Sequence, residues 1–499
     1  MTEWAPVLEL TSTTEELRTL WRQGAVANPA APPGLRIRVI EECAAGDPLL
    51  YGLTYLALPE PVVDAWIAHP VAKVRARAAE RSGLTGAQRR RLLRDPSAGV
   101  RRAALFFTAA DEVLEEAEAD RFLADPSPLV RAELALQRNL SVAQLAVLLG
   151  DPSCGVRAPA VGRAWPHLDG AARAALLADP HSGVRAEALL ARYADEPLPE
   201  GEFRALTDGC EEADRLRIIG KCLLERELAD SLARGGSGER RALAGNPRLD
   251  ADLVAVLARD GDPAVRLAVS LRPELSEAER AGVPVEVDPN GRYDPLPWVL
   301  ERRGDVAHLR RCAASAHVLL RRSVAHVRDL PPDVVELLAR DEDFAVRLLL
   351  AENCAQAPAG LLLEMWVRWG GYSRGRLREH PNFPRTGVLR FAADPDPWLR
   401  RLALDDPAAS AELVERCARD EDGGVRLRAL EDPRLSAASV VRLLDDEDWL
   451  VRRTALRDPR LPDALLAGLL TEARTAEGAA GHPAVPAAVL AHLLALPVV

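Results

Sequence analysis

The sequence predicts an all-α chain in which short two-helix repeats stack into a solenoid, and three observations carry that prediction. The chain has 499 residues, more than one ordinary compact core holds, so it is either several domains or a repeat array. Apolar residues make up 48% of it but aromatic ones only 4%, so the core is built mainly of Leu, Val and Ala, as suits helices packed closely together. The third observation is a Val-Arg or Leu-Arg pair that returns a few residues after an acidic turn. Arg75 to Arg101, Arg131 to Arg157, Arg240 to Arg266 and Arg321 to Arg347 are each 26 residues apart, and Arg374, Arg400, Arg426 and Arg452 follow at the same interval. Arg185 and Arg217 fill irregular intervals, while the gaps from Arg185 to Arg240 and from Arg266 to Arg321 are each 55 residues, two units plus a small insertion. The array keeps its phase across its defects, and its length corresponds to about fifteen units.

Residues 1–62 read as an N-terminal helical cap. Thr13-Thr14-Glu15-Glu16-Leu17 supplies an N-cap and an acidic first turn, helical continuation runs to Arg22, and Asn28-Pro29 makes a turn. The first half of the array spans 63–272. Within a unit, Asp95-Pro96, Asp125-Pro126, Asp151-Pro152, Asp179-Pro180 and, later, Asp394-Pro395 place an N-cap carboxylate before a proline at the first helical position. A second proline turn, as in Asn246-Pro247, Asp406-Pro407, Asp432-Pro433 and Asp458-Pro459, starts the second helix. Ser141 and Gln144 have the spacing of a capping box. Two helices and two turns in 26 residues leave each helix two or three turns, too short to stand alone, so stability must come from stacking.

Residues 273–311 break the period with a Pro-rich insertion that holds Asn290-Gly291-Arg292-Tyr293 and Trp298. A structural turn is the simpler reading, because Asp288, Asn290 and Asp294 lack the bidentate Glu of a calcium loop. Residues 312–480 form the second half, interrupted around Met365-Trp366-Val367-Arg368-Trp369 and Tyr372-Ser373-Arg374. That stretch is read either as an amphipathic helix with Trp366 in the core and Trp369 at the surface, or as an aromatic and arginine clamp for a strand of nucleic acid. Trp398 and Trp449, just before the repeat arginines, are expected to pack within the repeat. His69, His380 and His482 each precede a proline and are expected to replace Asp or Asn as caps. Residues 481–499 are apolar and uncharged from Val485 onward, which suggests a capping helix folded under its neighbour or, alternatively, a surface for self-association.

The repeat arginine lies six residues after the turn aspartate, too far for an i,i+4 pair. The expectation is a ladder of Arg75, Arg101, Arg131, Arg157, Arg185, Arg266, Arg347, Arg400, Arg426 and Arg452, each reaching carboxylates or helix-end carbonyls in its own and the adjacent unit. The functional alternative is an arginine stripe that grips phosphates.

The Asp-Pro-x-x-x-Val-Arg start with Asn/Asp-Pro-x-Leu between the helices resembles the leucine-rich repeat variant units of bacteria, which are close to HEAT-like repeats. The resemblance covers roughly residues 63–480 and implies a right-handed superhelix in which one helix of a unit is short or 3₁₀. Some members of that family carry an iron–sulfur cluster, but Cys43 stands alone in the first 150 residues and no cluster is carried over. Only two of the 64 basic residues are lysines, a bias that fits a GC-rich, actinobacterial type of source.

A net charge of −11 argues against indiscriminate polyanion binding. Seven scattered cysteines with no Cys-x-x-Cys give neither a disulfide framework nor a zinc ribbon. The start of the chain lacks a basic, then apolar, leader, so a cytoplasmic location is expected, and no stretch reads as a membrane span. No nucleophile, metal-ligand or phosphate-loop motif occurs, so neither an enzyme nor a cofactor is expected. The function predicted is a non-catalytic scaffold for an unidentified protein partner, with Arg292, Tyr293, Trp298, Trp366, Trp369, Tyr372 and Arg374 as the candidate contacts. The alternative is a nucleic-acid-binding or glycosylase-like repair solenoid, with Glu364 near Trp366 as the nearest imitation of a catalytic acid.

Overall fold

A repeat shows its construction best between Asp394 and Leu469 in the computed structural model, which describes residues 2–111 and 114–499. Helices Pro397–Ala403, Gly423–Leu430 and Trp449–Ala455 alternate with Ala411–Cys417, Ala437–Leu443 and Asp463–Leu469. Each is about two turns long and gains its stability by burying one face. The first helices stack on one another, closing over Leu399, Ala403, Val425, Ala429, Val451 and Ala455. Repetition of this pattern gives an all-α chain with 36 α-helices, three short 3₁₀ helices and no strand among the described residues.

The helices start later than the Asp-Pro pairs predict. After Asp95-Pro96 the helix begins at Ala98, after Asp125-Pro126 at Pro128, and after Asp394-Pro395 at Pro397. The aspartate does not cap the helix. Its Oδ1 accepts the N–H two residues on, from Ser97 at 2.8 Å, Ser127 at 2.9 Å and Asp396 at 2.9 Å, an Asx turn. The cap falls two positions later, where Asp262, Asp343, Asp396, Asp422 and Asp448 accept helix N–H groups. The Ser141–Gln144 capping box is realised in both directions.

The chain folds as two compact units, one made of the described residues up to 114 with 385–499, the other of 115–384. In the first unit, helix Glu15–Ala27, longer than the stretch to Arg22 expected, stacks on Ala476–Ala480 and Ala487–Ala495. Trp21 and Val7 share one core with Leu470, Ala480 and Leu490. The Trp21 indole donates to the Leu470 carbonyl at 2.8 Å, and Asn28 Nδ2 donates to the carbonyls of Ala480 at 3.0 Å and His482 at 2.8 Å. Thr13 N donates to Pro497 O and Val499 N to Thr13 O, both at 3.0 Å. Helix Ala487–Ala495, read as a candidate self-association surface, therefore buries Val489, Leu490 and Leu493 within the chain.

Residues 273–311 lie inside the second unit and include helices Glu277–Ala281 and Pro297–Glu301. Buried Arg280 holds this stretch down by donating to the carbonyls of Ser270, Arg272 and Leu275.

Candidate functional site

One edge of the repeats is built on arginine. Arg131 spans to Asp151 with Nε and Nη2 at 2.5 and 3.0 Å, Arg157 to Asp179 at 2.9 and 2.8 Å, and Arg426 to Asp446 at 2.7 and 2.6 Å. Arg75 with Asp95, Arg240 with Asp260, Arg321 with Asp341 and Arg400 with Asp420 repeat the two-pronged contact. The third prong, Nη1, donates back to carbonyls of the arginine's own turn: Arg101 to Asp95, Arg185 to Asp179, Arg266 to Asp260, Arg347 to Asp341 and Arg452 to Asp446. The six-residue offset thus places the guanidinium under its own turn and against the next. Burial works against charge on Asp446, but the Arg426 fork and the Asp448 N–H outweigh it and hold the carboxyl below the ordinary range. Asp420 is held down in the same way by Arg400.

A parallel device supports the second turn. Asn246 Nδ2 donates to the Ile219 and Cys222 carbonyls while its Oδ1 accepts the Arg248 N–H. Asn28 repeats the same contacts. His69, His380 and His482 accept the N–H of Val71, Asn382 and Ala484 at Nδ1 and face carbonyls of Glu41, Cys354 and Asp458 with Nε2. They are turn-formers that bridge units rather than helix caps.

The candidate contacts fall apart into different environments. Trp366 is only 3% exposed, packed edge-on to Phe383 at 5.8 Å and under Arg374 at 4.9 Å, and Arg374 is itself buried. Both are interior groups, in contrast to the clamp reading. Trp369 is half-buried with its indole N–H on Ser373 Oγ at 2.8 Å, and Tyr372 is 94% exposed. Trp298 is half-buried, donates to the Leu271 carbonyl at 3.1 Å and meets the His308 ring at 5.7 Å. Arg322 lies 6.0 Å from the Tyr293 ring, and Arg292 is exposed. Glu364 pairs with Arg368 at 3.0 Å, a surface contact on its own helix.

The expectation that Trp398 and Trp449 pack within the repeat holds only in part: the Arg401 guanidinium stacks 4.3 Å from the Trp398 ring on the same helix. The two tryptophans are 40% and 61% exposed, and Leu450 beside Trp449 is also exposed. The reason lies in position: both stand in the first turn of a first helix, and the apolar stripe that meets the core starts at Leu399 and Val451. In the unit between them the corresponding residues are Gly423 and Gly424, where a Cβ would stand 2.6 Å from Asp448 Oδ2 and 2.7 Å from Arg401 Nη1. Asp448 and Arg401 thus lie against these glycines, and Arg401 also stacks on the Trp398 ring at 4.3 Å.

Also absent from the sequence candidates are Arg90 and Arg94, on the face of helix Gly86–Leu93 that lines a groove with Ile67, Pro70 and Pro96. The run Arg89-Arg90-Arg91 was the signal available for them. Among the described residues, no group of three or more His, Cys, Asp or Glu side chains is arranged to hold a metal ion, and no helix is long and apolar enough to cross a membrane.

No family model matches the chain. No curated protein matches it either. Among solved structures it is similar to a chain of microtubule polymerases with tumor overexpressed gene (TOG) domain arrays, which recruit and assemble tubulin. That likeness has 10% identity and a TM-score of 0.20, covering 88% of this chain and 92% of the other. It is also similar to Kap121p bound to Nup53p and to Kap121p bound to Ste12p, at 11% and 10% identity with TM-scores of 0.17 and 0.16. In both cases 92% of this chain is covered, and it spans about half the Kap121p chain, 46%.

Proposed function

We propose that this chain is a non-catalytic repeat scaffold that binds another protein. The observation that carries the reading is the pair of exposed indoles, Trp398 and Trp449, with Leu450 beside them. They stand next to ladder arginines of which Arg400 and Arg426 are held by aspartates and Arg452 by carbonyls of its own turn. Large exposed aromatic side chains are what protein partners use as anchors, whereas arginines such as Arg400 and Arg426, with forks already on aspartates, have less to offer phosphates. The nucleic-acid alternative relied on Trp366, Trp369 and Arg374, with Tyr372 beside them; Trp366 and Arg374 are buried, Trp369 is half-buried and Tyr372 is exposed.

The test is capture of partners from the source cell's lysate by the parent and by a Trp398→Ser/Trp449→Ser variant. Exposed positions of this kind cost within about 0.5 kcal/mol, so the melt should match the parent while a captured protein is lost. An unchanged capture set would remove the reading. So would tight binding of short DNA or RNA that weakens steeply between about 50 and 200 mM salt.

A further inference from the structure

We infer that the groove between helices Glu60–Ile67 and Gly86–Leu93 docks an acidic segment of a partner protein. The proposal rests on the scaffold reading and adds the chemistry of what is bound. Between Lys73 and Arg102 the chain carries ten basic residues against two acidic ones, Glu80 and Asp95, although its net charge is −11. Several of these cations are consumed locally. Arg75 is locked to Asp95, Arg77 pairs with Glu80 at 2.6 Å, and Arg81 donates to the Leu53 and Leu56 carbonyls. Arg90 and Arg94 are different: both are exposed, and neither side chain is hydrogen-bonded or ion-paired to a described residue. Arg91, beside them, makes one 3.4 Å contact with Asp64, an exposed pair of little strength.

These three arginines line a groove of about 640 Å³ whose other walls are mostly apolar, with Ile67, Pro70 and Ala87 among them. Two inter-repeat grooves elsewhere carry more acids than cations. The one around Val254 and Val283 sets Arg259 against Glu274 and Glu279, and the one around Val335 and Leu361 sets Arg340 against Glu336 and Glu364. Only the groove at Arg90 holds an excess of cations among these three. Arg90, on the helix, and Arg94, at its C-cap one turn further on, line the same groove as like charges, and an anion between them relieves their repulsion.

Geometry favours a peptide over a nucleic acid. Four helical residues advance about 6 Å, close to the spacing of alternate side chains along an extended strand, about 6.6 Å. Acidic side chains at positions i and i+2 of a bound strand would therefore meet Arg90 and Arg94 in turn, while the residue between them faces the apolar wall. No Phe, Tyr or Trp lines the groove to stack a base.

The experiment is fluorescence anisotropy of the full chain with a fluorescein-labelled peptide of four Glu-Val repeats and, separately, with an eight-nucleotide oligothymidylate, at about 50 and 200 mM salt. The peptide should bind, more weakly at the higher salt. Arg90→Glu/Arg94→Glu should lower its affinity at least about tenfold, Arg90→Gln/Arg94→Gln should fall between, and Arg259→Glu/Arg340→Glu should match the parent. Absence of peptide binding, equal loss in both Glu variants, or tighter binding of the oligonucleotide through Arg90 and Arg94 would overturn the proposal. If the peptide fails while capture still depends on Trp398 and Trp449, the groove alone is lost. If both fail, the scaffold reading goes with it.

Discussion

Truncating Arg426 to alanine would break a ladder rung in which both partners are buried, the side chains of Arg426 and Asp446 being 9% and 5% exposed. The guanidinium meets both Asp446 oxygens and also donates to the carbonyls of Asp420 at 2.8 Å and Glu421 at 3.0 Å. After truncation, Asp446 keeps the Asp448 N–H at 2.9 Å but loses its countercharge, and two turn carbonyls lose a donor. Removing one partner of a buried pair costs about 3–5 kcal/mol. Because short repeats lean on their neighbours, the loss should be concentrated in the adjoining units. Hydrogen exchange across residues 420–455 should quicken by about a hundredfold to a few thousandfold, since each tenfold corresponds to about 1.4 kcal/mol. Arg426→Lys should rescue little, because an ammonium cannot serve two carboxylate oxygens and two carbonyls in that geometry. Arg426→Met/Asp446→Leu should recover part of the loss by removing the stranded charge. A melt and an exchange profile of Arg426→Ala that match the parent would refute the ladder's energetic role.

Two further outcomes follow from the packing. Gly24 faces helix Ala476–Ala480, where a Cβ would stand 2.6 Å from the Ala480 Cβ and 2.8 Å from the Gly481 nitrogen, so Gly24→Ala should cost about 1–3 kcal/mol by overpacking; exchange over 463–499 that stays as slow as in the parent would contradict this. His317 is buried, accepts the Leu319 N–H at Nδ1 and meets Ser270 Oγ with Nε2; burial, helped by the Arg280 charge, pushes its pKa down to about 4. Between that value and the ordinary one of about 6.5 the unfolded chain takes up a proton that the folded chain refuses, so stability falls as pH drops through this window, by about 3 kcal/mol at most. Urea midpoints at pH 7 and pH 5 should separate less in His317→Asn than in the parent, and an unchanged separation would exclude His317 as a source. His308 and His326, also pushed down mainly by burial, keep the dependence from vanishing.

The repeat was legible from residues alone because its grammar is local. A turn aspartate, a capping side chain and an apolar stripe must recur at one spacing for units to stack, and Arg400, Arg426 and Arg452 mark that spacing directly. Helix starts differ for a reason that local chemistry hides: Asp95 and Asp394 look like caps, yet Oδ1 forms the turn and, in Asp95, both carboxylate oxygens take the fork of Arg75 of the preceding unit. Likewise Asn28-Pro29 has the same dipeptide as Asn246-Pro247, but only packing reveals that Asn28 bridges to Ala480 and His482, some 450 residues away in the chain. The surface was the least legible part. Composition marks Trp366, Trp398 and Trp449 as rare aromatics near arginines, and nothing local separates the buried one from the exposed pair. Whether a side chain at the edge of a two-turn helix meets a neighbour or water depends on the unit stacked against it, here on Phe383 over Trp366 and on Gly423 and Gly424 between Trp398 and Trp449. Sequence periodicity specifies the unit; burial, and with it every candidate contact surface, belongs to the stack.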